Sequence, residues 1–151
     1  MAEETIRILV VDDEPGMRKS LADILIDEGY DVTIAEDGTK AVEFCTRETF
    51  DVVIMDVLMP GLDGVEAFRR IRRHSIGTRV ILMSAFGVEE LKYQALDEGA
   101  IAFLEKPLDI DAVVHLIENA NETGGRIVLK NVDSPKRHAD ILLKQMRRLD
   151  R

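Results

Sequence analysis

The sequence predicts an α/β fold, a doubly wound five-stranded parallel sheet of five βα units, (βα)5, in the strand order 2-1-3-4-5. Three observations carry this. Short continuous apolar runs alternate with segments whose apolar residues recur at helical spacing. The runs do not alternate apolar and polar, so both faces of the sheet must be covered. Charged or polar side chains stand where the runs end: Asp12 and Asp13 after Ile8–Val11, Asp56 after Val52–Met55, Ser84 after Val80–Met83, and Lys106 just past Ile101–Leu104. Ligands of such sheets bind beyond the carboxyl ends of the strands at a topological switch point. Carboxylates ending the first and third strands therefore favour the stated order.

Each element has its own signal. Ile6–Val11 reads as the first strand. Glu14–Glu28 follows as a helix with Met17, Leu21, Ile24 and Leu25 on one stripe, stopped by Gly29. Asp31–Ala35 is the second strand, and Gly38–Glu48 a helix with Ala41, Val42 and Cys45 inward. Asp51–Asp56 is the third strand. A turn-rich loop, Met59-Pro60-Gly61-Leu62-Asp63-Gly64, leads to a helix over Val65–Arg73, with Val65, Phe68 and Ile71 aligned. Arg79–Ser84, a weakly amphipathic helix over Val88–Glu98 closed by Gly99, and the strand Ile101–Leu104 complete the alternation. Ile110, Val113, Val114 and Ile117 mark the last helix of the body.

The domain division follows: residues 1–122 form the body, and 123–151 a short basic extension. Gly124-Gly125 reads as a break. Pro135–Leu149 suits a helix capped by Ser134, with Ala139, Leu142, Met146 and Leu149 forming an apolar seam. That seam makes docking expected, either back on the body of a monomer or across a tail-mediated homodimer.

Composition bounds the function. The 151 residues are 46% hydrophobic and 32% charged, as in a globular protein. No apolar run reaches the ~20 residues needed to span a bilayer. The acidic start Met-Ala-Glu-Glu lacks the apolar core of a signal peptide, so a cytoplasmic protein without membrane insertion is expected. A lone Cys45 excludes an internal disulfide and reads as a small packed residue. The net charge of −9 argues against nucleic-acid binding by the chain as a whole. Residues 121–151 hold eight Lys/Arg against four Asp/Glu, and the rest 12 against 25. The extension is too short for a winged-helix or helix-turn-helix effector, so no DNA-binding output is expected.

Asp12, Asp13, Asp56 and Lys106 together form a set suited to phosphoryl transfer. Adjacent Asp12 and Asp13 suggest more than a helix cap, because two carboxylates cap no better than one and repel each other. A divalent cation relieves that repulsion, and all-oxygen ligands suit Mg²⁺ or Mn²⁺. Asp56, the third carboxylate, becomes the candidate nucleophile whose attack on phosphorus gives an acyl phosphate. Metal and lysine would neutralise charge on the transferring group.

These residues, with Met59-Pro60-Gly61-Leu62-Asp63-Gly64, Ser84-Ala85 and Lys106-Pro107, make residues 5–121 resemble the receiver domain of two-component response regulators, a flavodoxin-like fold typified by the chemotaxis regulator. The resemblance implies that Asp56 is the phosphoacceptor. It implies that Asp13, Asp56 and the Leu58 backbone carbonyl hold Mg²⁺ directly, with Asp12 acting largely through water. It makes Ser84 the hydroxyl that turns toward the phosphate, Phe103 the aromatic switch, Lys106 the phosphate-binding lysine, and Lys106-Pro107 a cis bond. It implies autocatalysed phosphorylation and dephosphorylation, a sensor histidine kinase or phosphotransfer protein as donor, and a remodelled helix-4, strand-5, helix-5 face. His74, His115 and His138 are scattered, and none looks like a relay histidine. Leu58 and Phe86 resemble the positions overlooking the phosphate; being apolar, they suggest a long-lived phosphoprotein. A rival reading is a Mg²⁺-dependent phosphatase with an aspartyl nucleophile. That class usually places a general-acid aspartate two residues past the nucleophile, where this chain has Leu58, and it usually carries a cap insertion.

Overall fold

A computed structural model describes residues 5–85 and 89–122. Ten elements alternate strictly: β1 Arg7–Val11, α1 Pro15–Asp27, β2 Asp31–Ala35, α2 Gly38–Arg47, β3 Val52–Asp56, α3 Gly64–His74, β4 Arg79–Ser84, α4 Glu89–Asp97, β5 Ala102–Glu105 and α5 Ile110–Glu122. The strands form one parallel sheet in the order β2-β1-β3-β4-β5. Ile8–Val11 lie beside Val52–Met55, so Asp12 and Asp56 emerge from neighbouring strands at one end.

The continuous apolar runs are explained by two cores. Leu9, Val11, Val53, Met55, Leu82 and Phe103 face α2, α3 and α4 together with Cys45, Phe68, Ile71 and Ala95. Ile8, Val10, Ile54, Ile81, Met83 and Leu104 face α1 and α5 with Leu21, Leu25, Val113 and Ile117. Each fully buried Val, Leu or Ile contributes about 1.5–3 kcal/mol. The floor beneath the strand ends is therefore rigid. Burial pushes the Cys45 thiol up to about 11, which fits a packed residue and not a nucleophile.

Helices α1 and α4 end alike. Tyr30 N–H reaches Leu25 O at 3.2 Å and Gly29 N–H reaches Ile26 O at 2.9 Å, and Ala100 and Gly99 repeat the pattern on Ala95 and Leu96. This terminator needs a left-handed residue, supplied by Gly29 at φ 98° and Gly99 at φ 106°.

Some boundaries differ from the pattern-based expectation. β3 begins at Val52, one residue later than expected: the Asp51 carboxylate accepts the Arg7 N–H at 2.8 Å, while the Asp51 backbone still bonds Arg7 O and the Arg79 N–H at 2.9 and 3.0 Å. β5 runs to Glu105, which pairs with Ser84; the ladder partner, not hydropathy, sets that end. Neither Asp12 nor Asp13 is the N-cap of α1. That position is Glu14, which makes no side-chain cap bond. Phe86 and the expected helix over 135–149 lie outside the described residues.

Candidate phosphoryl-transfer site

The site is assembled at the carboxyl edge of the sheet. Asp12 is 1% exposed and Asp56 6% exposed. Two buried carboxylates side by side require a counter-charge, and Lys106 supplies it. Its ammonium donates to Asp12 Oδ2 at 2.8 Å and to Asp56 Oδ2 at 2.7 Å. Burial pulls the Lys106 ammonium down, but its hydrogen bonds and attraction to Asp12 and Asp56 outweigh this and leave it above its ordinary value. The remaining oxygens accept backbone donors: Glu14 N–H bonds Asp12 Oδ1 at 3.0 Å, and Leu58 N–H bonds Asp56 Oδ1 at 2.9 Å.

Neighbouring strand ends are knitted by the backbone. Val57 N–H donates to Met83 O, and Lys106 N–H to Ser84 O, both at 2.8 Å. Ser84, fully buried, thus lies beside Lys106. Phe103 is buried lower on β5, opposite Leu82 in the ladder, and outside the charged cluster. The Lys106–Pro107 peptide bond is cis. Leu58 is 44% exposed at the rim.

Asp13 behaves differently. It is exposed, and it makes no hydrogen bond or ion pair with the described residues, yet a carboxylate oxygen of each of Asp12, Asp13 and Asp56 falls within 4.8 Å of the others. Three converging hard oxygen donors fit a small divalent cation, with water free to complete the shell. The single Lys106 charge cannot balance three carboxylates. Asp13→Ala should therefore raise the stability of the metal-free protein by about 0.5 kcal/mol, a modest gain because Asp13 is solvent-screened. Added Mg²⁺ should reverse the order by binding the folded parent preferentially. Thermal melts of both proteins with and without Mg²⁺ check this; equal melting without metal would remove the repulsion argument.

Two contributors escaped sequence reasoning. Gly64 N–H donates to Val57 O at 2.9 Å, and α3 begins hard against the backbone of Asp56. The loop motif contained Gly64, but the close approach is tertiary. Arg18 donates from Nη1 to the Asp12 carbonyl at 2.7 Å. An arginine six residues past an aspartate carries no local signal of such a contact.

Comparison with known proteins identifies the family. The model of the response regulator receiver domain family matches residues 8–118. Transcriptional regulatory protein TcrA of Mycobacterium tuberculosis (strain ATCC 25618 / H37Rv) is 41% identical over 106 residues, 70% of the chain, and the chain spans only 42% of that relative. Sporulation initiation phosphotransferase F of Bacillus subtilis (strain 168) is 36% identical over 107 residues, covering 71% of the chain and 86% of the relative. The crystal structure of a CheY-like receiver domain protein from Methanospirillum hungatei JF-1 superposes with a TM-score of 0.77 at 26% identity, covering 80% of this chain and 97% of that one. With five parallel strands in the order 2-1-3-4-5 and an aspartate-lysine cluster at their carboxyl ends, the chain belongs to the response regulator receiver domain family of two-component signalling.

Proposed function

We propose that Asp56 accepts a phosphoryl group from a sensor histidine kinase or a phosphotransfer protein, and that its phosphorylation switches the α4–β5–α5 surface for a protein partner. The observation that carries this reading is Lys106 bridging Asp12 and Asp56 at 2.8 and 2.7 Å at the edge of the sheet. An Asp56 carboxylate oxygen attacks phosphorus, the new O–P bond forms as the P–N bond of a phosphohistidine donor breaks, and the donor imidazole leaves with a proton. The same chemistry run with water as acceptor returns the free carboxylate, so the protein acts on itself and is no enzyme toward a separate substrate. Mg²⁺, or Mn²⁺, held by Asp13, Asp56 and the Leu58 carbonyl, with Asp12 through water, would supply charge neutralisation at the transferring group. Lys106 stands ready to follow the phosphoryl oxygens, since it already holds Asp56 Oδ2. Ser84, buried and bonded through its carbonyl to the Lys106 N–H, and Phe103, two residues before Ser84's ladder partner Glu105, relay the change to the α4–β5–α5 face. The charge gained, about −1.5 to −2, is large against a single lysine.

We assign this function to residues 1–122; the basic extension 123–151 lies outside the described residues. Among the described residues no helix is long and apolar enough to cross a membrane, and a cytoplasmic place suits the phosphodonor.

The test is incubation with Mg²⁺ and acetyl phosphate. The parent should gain one phosphoryl group by intact mass and Asp56→Asn none; equal labelling of the variant would sink the assignment. Lifetime is the second readout. Leu58, exposed at the rim, cannot hydrogen-bond an attacking water. Leu58→Asn should hydrolyse the phosphoprotein about tenfold faster, within the range of positioned polar groups, and an unchanged decay would assign the lifetime elsewhere.

A further inference from the structure

Asp12 is fixed at every polar group. Its N–H donates to Ala35 O at 3.2 Å, its carboxylate binds Glu14 N–H and Lys106, and its carbonyl accepts from Arg18 Nη1 at 2.7 Å. Neither side-chain oxygen of Asp13, the next residue, is bonded among the described residues. Arg18 also donates its own backbone N–H to Glu14 O at 3.0 Å. That second contact is the first backbone bond of α1, so the helix holds one end of the connection Asp12-Asp13-Glu14 and the Arg18 side chain the other, with Asp13 between them. The far end of the connection is held by backbone atoms alone, the Glu14 N–H on Asp12 Oδ1 and the Glu14 carbonyl on the Arg18 N–H. Glu14, the α1 N-cap, makes no side-chain cap bond, the first turn contains Gly16, and it has no acidic residue to satisfy the free N–H groups.

We infer that Arg18 is a positioning residue for the cation site: it holds the β1–α1 connection so that Asp13 stays poised beside Asp12 and Asp56. This rests on the proposed reading of those three carboxylates as a divalent-cation site. Arg18 touches no carboxylate of the cluster and so acts through the backbone. Side chains that orient metal ligands without touching the ion matter in this way, because a ligand that must be ordered at the moment of binding binds more weakly.

Electrostatics and positioning make opposite predictions. A guanidinium bonded to the Asp12 carbonyl adds positive charge on the cluster's flank and repels a cation, so on charge alone its removal should tighten divalent binding. If Arg18 instead positions Asp13, its removal should weaken binding despite the charge lost. The experiment titrates the full chain with Mg²⁺ alone, followed by amide chemical shifts, and with Mn²⁺ alone, followed by electron paramagnetic resonance. Parent, Arg18→Gln, Arg18→Lys and Asp13→Asn are compared, with thermal melts in the absence of metal.

Arg18→Gln should bind about tenfold more weakly, the lower end of what such supporting groups contribute. Arg18→Lys, which keeps the charge and one donor, should recover part of that loss. Unchanged or tighter binding by a folded Arg18→Gln overturns the inference. Should the glutamine variant not fold, the lysine variant decides, and parent-like affinity in it counts against the inference. Asp13→Asn separates the two levels. If it binds as tightly as the parent, the cation-site reading itself fails; if it loses binding while Arg18→Gln does not, only the role of Arg18 falls.

Discussion

Lys106→Met should cost about 3 kcal/mol of folding stability at neutral pH in the absence of divalent metal, because removing one partner strands buried charge. The lysine side chain is 12% exposed, and its partners Asp12 and Asp56 are 2% and 8% exposed. Without the ammonium, two buried carboxylates face each other with only backbone donors. Added Mg²⁺ should return part of the loss, since a cation at the carboxylates replaces the missing charge. The pH dependence has a definite sign. Lys106 sits above its ordinary 10.5 in the folded state. Its contribution is therefore complete below that ordinary value and fades as pH rises through the higher folded value. Urea unfolding of parent and variant should show a gap that is constant near neutrality and narrows above about pH 10.5. Equal stability at pH 7 would mean that Lys106 does not hold the pair.

Gly64→Ala should destabilise the protein by about 3 kcal/mol, the upper end of ordinary overpacking. A Cβ there would press on the Asp56 carbonyl oxygen and lie 2.6 Å from Val57 Cα. Both obstacles are backbone, so no side chain can swing aside. The strain falls on the residue that carries the candidate nucleophile, and the hydrogen bond from Gly64 N–H to Val57 O stretches with it. The variant should therefore also lose most of its reactivity with acetyl phosphate under conditions where it remains folded. Chemical denaturation and a labelling time course measure the two effects separately. A variant as stable and reactive as the parent would show that α3 can retreat freely.

The fold was legible because each of its determinants is local. Continuous apolar runs, helical stripes, and Gly29 and Gly99 as terminators all operate within a few residues, and the order of the strands followed from where carboxylates had to meet. The convergence of Asp12, Asp56 and Lys106 was legible for the same reason: strand ends in a parallel sheet share one edge. What the chain hid depends on contacts distant in sequence. Arg7 pairs with Glu48 and Asp31 and stacks over Phe50 at 4.9 Å, and its N–H donates to the Asp51 carboxylate. The tight seat of Gly64 against Asp56 exists only once α3 has packed. The contrast between a fully bonded Asp12 and an Asp13 unbonded among the described residues could not be read from two adjacent identical letters. Arg18 resolves that contrast, and its partner is a backbone carbonyl, which leaves no trace in residue type.

Asp56 should form the acyl phosphate, and chemical trapping reads the modified position out residue by residue. The protein is incubated with Mg²⁺ and acetyl phosphate, reduced with borohydride, digested, and sequenced by mass spectrometry. Borohydride converts an aspartyl phosphate to homoserine and leaves free aspartate intact. Homoserine at position 56 and nowhere else, absent when acetyl phosphate is omitted, is the predicted result. Homoserine at Asp12 or Asp13 with aspartate retained at position 56 would contradict it.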